Sequence, residues 1–165
     1  ARDTGRMPKV VQVENARPME TRIVLLSHLD ATVAQLLSKY HELPSQDHVA
    51  PGEWSARDIL AHLTFWHESF ARNVGDLVAG RKPTPLKGTL AELNRRSVDA
   101  LGDCSPAELG QRFADAHAVI RAGILDPGLT LIPYRRGSRD YSPEEHLQIV
   151  DNHIRQHLKE MRRRV

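Results

Sequence analysis

With 165 residues, 40% of them hydrophobic, the chain is long enough to bury one core and short enough that a single domain is expected. Its 23 lysines and arginines against 21 acidic residues leave a net charge of +2, which argues against the uniform basic field of a nucleic-acid-binding surface. No apolar run approaches the roughly 20 residues that span a bilayer, so no membrane segment is expected.

The single cysteine, Cys104, has no internal disulfide partner, which favours a reducing cytoplasm. Ala1 to Pro18 is too polar to read as a secretory signal and shows no sustained period. It is expected to be a flexible or arm-like extension, with the domain over 19–165. From Met19 the apolar residues Ile23, Leu26, Leu29, Val33, Leu36, Leu37 and Tyr40 recur at three- and four-residue steps and predict an amphipathic helix to about Glu42. A loop follows, broken by Pro44 and by Pro51-Gly52.

Ser55 caps the second helix with Asp58 three residues on, and Ile59, Leu63, Trp66, Phe70 and Leu77 form its buried stripe. After a turn at Gly80 to Gly88 comes a short helix from Thr89 to about Leu101. Ser105-Pro106 and Glu108 open a third long helix, carried to about Leu125 by Leu109, Phe113, Ala116, Val119, Ile120 and Ile124. A long connection with Pro127-Gly128, Pro133 and Gly137 precedes the last helix, and long loops in compact domains are disproportionately functional. Ser142 caps that helix, Pro143 fits its first position and Glu145 closes a capping box. Its C-terminal cluster Arg162-Arg163-Arg164 complements the helix dipole. Four long amphipathic helices without a convincing strand predict an all-α, four-helix bundle with one extra short helix.

The histidines carry the chemistry. His153 and His157 stand four apart on one helical face, the spacing at which two imidazoles can aim at one point. His146 is two turns from His153 and is expected to line a pocket instead. On the second helix, His62 lies at the edge of the apolar stripe on the same flank as Asp58, Ser69 and Asn73, and could be a third ligand. Three neutral imidazoles leave an open position on Zn²⁺ or another divalent cation, where a thiolate or water can bind. The alternative is three structural histidines satisfied by carbonyls or solvent. His67 points to the other edge, and His28, His41, His48 and His117 have no partner at ligand spacing. Trp54 and Trp66 read as core anchors, and Cys104 is a poor candidate for a catalytic thiol.

These residues resemble a known family. Trp54-Ser55-Ala56-Arg57-Asp58-Ile59-Leu60-Ala61-His62-Leu63 is similar to the second-helix signature of the DinB-like superfamily, and His153-Ile154-Arg155-Gln156-His157 to its last-helix H-x-x-x-H. Pro51-Gly52-Glu53-Trp54-Ser55 through Trp66, with Gly80-x-x-Pro83 and Glu92-Leu93-Asn94-Arg95 downstream, looks most like the branch containing the colibactin self-protection proteins. The resemblance implies an up-and-down four-helix bundle, often a homodimer, with a divalent metal (Zn or Ni) on His62, His153 and His157. It also implies a low-molecular-weight thiol such as mycothiol or bacillithiol, activated for transfer to, or isomerisation of, a small electrophilic substrate. Trp66, Tyr134 and Arg135 are the candidate substrate contacts, Arg135 for an anionic group. A solvated loop tip explains the loop residues equally well. The rival expectations are a metal-independent self-protection protein that binds or hydrolyses a reactive metabolite, and a non-catalytic stress-response module.

Overall fold

The computed structural model describes residues 6–40 and 53–162, with side chains described over 19–40 and 53–161. His41, His48, the Pro44 and Pro51-Gly52 breaks and the side chains of Arg162 to Arg164 lie outside the described residues. Five helices follow in order: α1 Arg6–Tyr40, α2 Ala56–Val78, α3 Leu90–Ala100, α4 Pro106–Gly123 and α5 Pro143–Arg162. Among the described residues there is no β-strand, only two isolated bridges, and no helix is long and apolar enough to cross a membrane.

Each start after α1 follows the chemistry of its cap. Ser55 with Asp58 and Thr89 with Glu92 form reciprocal capping boxes. Ser142 and Glu145 do the same for α5, with backbone-to-side-chain bonds of 3.0 and 3.1 Å. At α4 only the Ser105 half forms, its hydroxyl accepting from the Glu108 amide, and Pro106 fills the first turn. The helix α1 begins at Arg6, upstream of Met19 where the apolar period sets in. Once nucleated, a helix gains one hydrogen bond per added residue.

The four long helices close a ring in which α1 touches α5 and α4, α2 touches α4 and α5, and α3 packs on α2. Helices α1 and α2 are therefore diagonal partners, as are α4 and α5. Crossing a diagonal takes more chain than joining neighbours, which accounts for the length of the connection 124–142. The core is made by Leu29 and Leu36 of α1, Ile59 and Leu63 of α2, Phe113 and Ile120 of α4, and Leu147 and Ile154 of α5. Trp66, expected as a core anchor, lies outside it in a cavity wall, and two residues of the predicted stripes are exposed: Ile23 51% and Val119 45%. At 100° per residue each falls roughly 90–100° from the centre of its own stripe, beyond the face its neighbours bury.

Buried polar groups lock the ring. Arg22 of α1 donates through Nε to Glu144 of α5 at 2.8 Å and through Nη1 to the carbonyls of Ile124 and Asp126 at 3.1 Å, joining three elements at one end. Thr32 of α1 donates to Asp151 of α5 at 2.5 Å. Between α2, α4 and α1, Nε2 of His67 meets Nδ1 of His117 at 3.1 Å, and Nε2 of His117 meets Asp30 at 2.7 Å.

Burial lowers the pKa of His67 well below the ordinary range, and the neighbouring His117 adds to the effect. Burial also lowers His117, against the opposing pull of Asp30, and lowers His146, against its bond to the Ile132 carbonyl. Above about pH 6.5, the ordinary histidine value, these rings are neutral in both the folded and the unfolded chain and their contribution to stability is fully present. Below it the unfolded chain takes up protons that the fold refuses, so stability falls with pH. The melting temperature should therefore drop progressively as pH falls from about 7.5 to about 5. A flat profile over that range would contradict burial of the three rings in neutral form.

Candidate metal centre

The site begins with the register of α2. The capping box at Ser55 sets the helix start, and from there Ile59 and Leu63 turn fully into the core while His62, 3% exposed, stands on the flank facing α3 and α5. The Trp54 ring lies against it, with 4.7 Å between centroids. Helix α3 is pinned beside it by Arg57, whose Nη2 donates to the carbonyls of Leu101, Gly102 and Cys104 at 2.9, 2.6 and 2.5 Å. A second tie is the Trp66 indole, which donates to Asn94 at 3.0 Å. So held, α3 brings Ser97 to the imidazole of His62.

Three ring nitrogens converge. Nε2 of His153 is 3.1 Å from Nε2 of His62 and 3.1 Å from Nε2 of His157. Ligand atoms of the three residues all lie within 4.8 Å of one another, so the group could hold a metal. The α5 pair meets at one point because four residues make just over one turn.

Hydrogen bonds to the far side of two rings decide what those nitrogens carry. The Ser97 hydroxyl donates to the Asn94 carbonyl at 2.5 Å and so accepts from Nδ1–H of His62, 3.1 Å away. Nδ1 of His157 lies 3.0 Å from the Glu160 carboxylate, which only accepts. Both rings therefore carry a proton on Nδ1, and in its neutral form each presents a lone pair on Nε2. One proton on Nε2 of His153 can serve only one of its two contacts, whereas a cation among the three satisfies all of them. A tetrahedral ion with bonds of about 2.0–2.1 Å to nitrogen holds its ligands about 3.3 Å apart, close to the spacing here. Burial, then the neighbouring rings, pushes His62 down to about 3 and His153 down to about 4, so both are neutral, as ligands must be.

His153 also borders a cavity of about 460 Å³ between α2, α3, α5 and the connection 124–142. That connection is tied down by paired backbone bonds between Ile132 and Tyr141, 2.8 and 3.0 Å, and by the Arg136 amide donating to Leu86 at 2.7 Å. Asn73 and His146 donate to the carbonyls of Pro133 and Ile132 at 3.1 and 2.9 Å. The walls combine aromatic rings with aliphatic side chains and the polar Ser69, Asn73, Asn94, Asn152 and Gln156. Trp66 stacks on Tyr134 at 5.2 Å, and Phe70 on His146 at 5.1 Å. No Asp, Glu, Lys or Arg is among the lining residues.

Of the residues singled out from sequence, the structure brings His62, His153 and His157 to one point and puts Trp66, Tyr134, Ser69, Asn73 and His146 in the cavity wall. Arg135 is outside that wall, its guanidinium donating to the Gly88 carbonyl at 3.4 Å. Cys104 is held away from the site and takes a 3.7 Å contact from Arg112. Sequence reasoning missed Ser97 and Glu160. The spacing His157-x-x-Glu160 could have revealed the carboxylate, whereas nothing local points from Ser97 to a ring on another helix. The His67–His117 pair was missed for the same reason.

No curated protein matches the chain. Among solved structures, a mycothiol-dependent maleylpyruvate isomerase is similar, with a TM-score of 0.55 and 13% identity, over 87% of this chain and 58% of that one. At that identity the likeness is one of fold, and this chain spans less than two thirds of that protein's length. The family model described as the DinB superfamily matches residues 15–161, and the chain, with its helical bundle and its signature histidines in place, belongs to the DinB superfamily.

Proposed function

We propose that the chain is a metal-dependent enzyme that acts on small electrophilic molecules with a low-molecular-weight thiol, as an S-transferase or isomerase. The observation that carries this reading is the convergence of three Nε2 atoms, two of which have their Nδ1 protons committed elsewhere. The solved relative, described as mycothiol-dependent, supports the choice of thiol chemistry on this fold. A divalent cation, zinc or nickel, held by three neutral imidazoles keeps an open position and lowers the pKa of a thiol or water taken there.

The chain's own residues would do the rest. Ser97 and Glu160 fix the tautomers and orientation of His62 and His157, the role that outer partners play around ligating imidazoles. Leu63 and Ile154 shield the cavity floor from water, and the stacked Trp66 and Tyr134 offer a flat wall to a planar substrate. His153, shared by the metal group and the cavity, sets the distance between an activated thiol and that substrate. The homodimer implied by the family resemblance is part of the same proposal.

Untagged protein should carry about one divalent metal per chain by elemental analysis, the stoichiometry of a three-histidine site. His157→Ala should abolish it, and metal retained at the wild-type level in that variant would exclude this ligand set. Ser97→Ala should weaken metal affinity about 10- to 100-fold, measured by competition with a chromogenic chelator. Unchanged affinity would mean that the hydroxyl does not set the His62 tautomer. The enzymatic reading is tested by thiol consumption, with mycothiol or bacillithiol and a panel of small electrophiles. Turnover should disappear with a chelator and return with zinc or nickel, whereas turnover indifferent to the chelator would favour metal-independent chemistry.

A further inference from the structure

A second set of histidines faces the same cavity from the other side. His67 lines it, 2% exposed, with its ring stacked on Phe113 at 4.1 Å between centroids and 6° between planes. Behind it the chain runs from His67 to His117 at 3.1 Å, to Asp30 at 2.7 Å, and on to Arg121 at 3.2 Å from the same carboxylate. This chain joins α2, α4 and α1 and has no part in the metal group.

The direction of each bond follows from its end. The Asp30 carboxylate accepts, so Nε2 of His117 carries a hydrogen. A neutral His117 then has only its Nδ1 lone pair for His67, so Nε2 of His67 donates and Nδ1 of His67 is left as an acceptor. That Nδ1 has no hydrogen-bond partner among the described residues. The one fully enclosed side-chain nitrogen or oxygen without a partner among them is the Tyr40 hydroxyl, so Nδ1 of His67 keeps access to the cavity that its ring lines.

We infer that Asp30, His117 and His67 form a tautomer-setting chain that presents one fixed acceptor, Nδ1 of His67, to an uncharged, aromatic-sized ligand bearing an O–H, N–H or S–H donor. The walls agree with that ligand. In the metal-free protein they carry two stacked aromatic pairs and the uncharged Ser69, Asn73, Asn94, Asn152 and Gln156 but no charged side chain, so a carboxylate or ammonium would enter without a counter-charge. The volume of about 460 Å³ suits a one- or two-ring molecule. Donor-bearing ligands are selected because an acceptor-only group would leave the buried lone pair facing another. The inference takes from the proposed function only that this cavity holds the small molecule, and it stands on residues other than the metal ligands.

The test uses chelator-treated full-length protein and three probes of similar size: phenol, anisole and benzoate. Binding is followed by tryptophan fluorescence and by the ring nitrogen signals of His67 in ¹⁵N NMR. Phenol should bind about tenfold or more tighter than anisole, the scale of one buried hydrogen bond left unmade, and benzoate more weakly than either. Nδ1 of His67 should give the signal of an unprotonated nitrogen and shift with phenol but not with anisole. His67→Phe should erase the preference for phenol. If that variant does not fold, the wild-type nitrogen signals decide the matter. Equal binding of phenol and anisole, tighter binding of benzoate, a protonated Nδ1 or no binding of phenol at all would each overturn the inference. Metal content, assayed separately, tells this failure apart from failure of the metal site.

Discussion

The structure turns on the hydrogen bonds behind two imidazoles. With Ser97 and Glu160 taking the Nδ1 protons of His62 and His157, the inner nitrogens of the neutral rings face His153 as lone pairs at contact distance. Lone pairs at this separation repel unless a proton or cation lies between them, and a single proton cannot serve two contacts. The fold holds this arrangement in place by rigid means: reciprocal caps at three helix starts, Arg57 gathering three carbonyls behind α3, and Arg22 tying α1 to the ends of α4 and α5. A histidine group preorganised in this way could take a metal without first ordering the protein.

The short helix α3 has a role out of proportion to its length. It is not a wall of the four-helix ring, yet Leu93 is fully buried, Ser97 orients the His62 ring and Asn94 anchors the Trp66 indole. The same two turns of helix thus connect the metal group to the aromatic wall of the cavity. The connection 124–142 closes the other side. It is irregular in backbone but bonded to the loop at Leu86 and to its own far end at Tyr141.

Much of this was legible in the sequence because it is local. Caps such as Ser142 with Glu145, the apolar stripes of α2 and α5, and the pairing of His153 with His157 all depend on residues within a turn of one another. The assignment of His62 to the same group needed the resemblance as well as the flank it occupies. What depends on how helices meet was not legible. The diagonal placement of α1 and α2, the approach of Ser97 to His62 and the contact of His67 with His117 arise from packing between distant segments, the two side-chain contacts joining residues 35 and 50 positions apart. Ile23 and Val119 show the limit of periodicity itself, since three- and four-residue steps admit positions at the margin of a stripe that the bundle leaves in water. Arg135 shows another limit: a basic residue on a long loop suggests an anion contact, and its backbone bridge to Leu86 carries it past the cavity.

X-ray absorption at the edge of the bound metal reads the first coordination shell directly. The account predicts three nitrogen scatterers at about 2.0–2.1 Å with the outer-shell signature of imidazole rings, and one further light ligand from solvent. A shell containing sulfur from Cys104, or oxygens with fewer than three imidazoles, would contradict it.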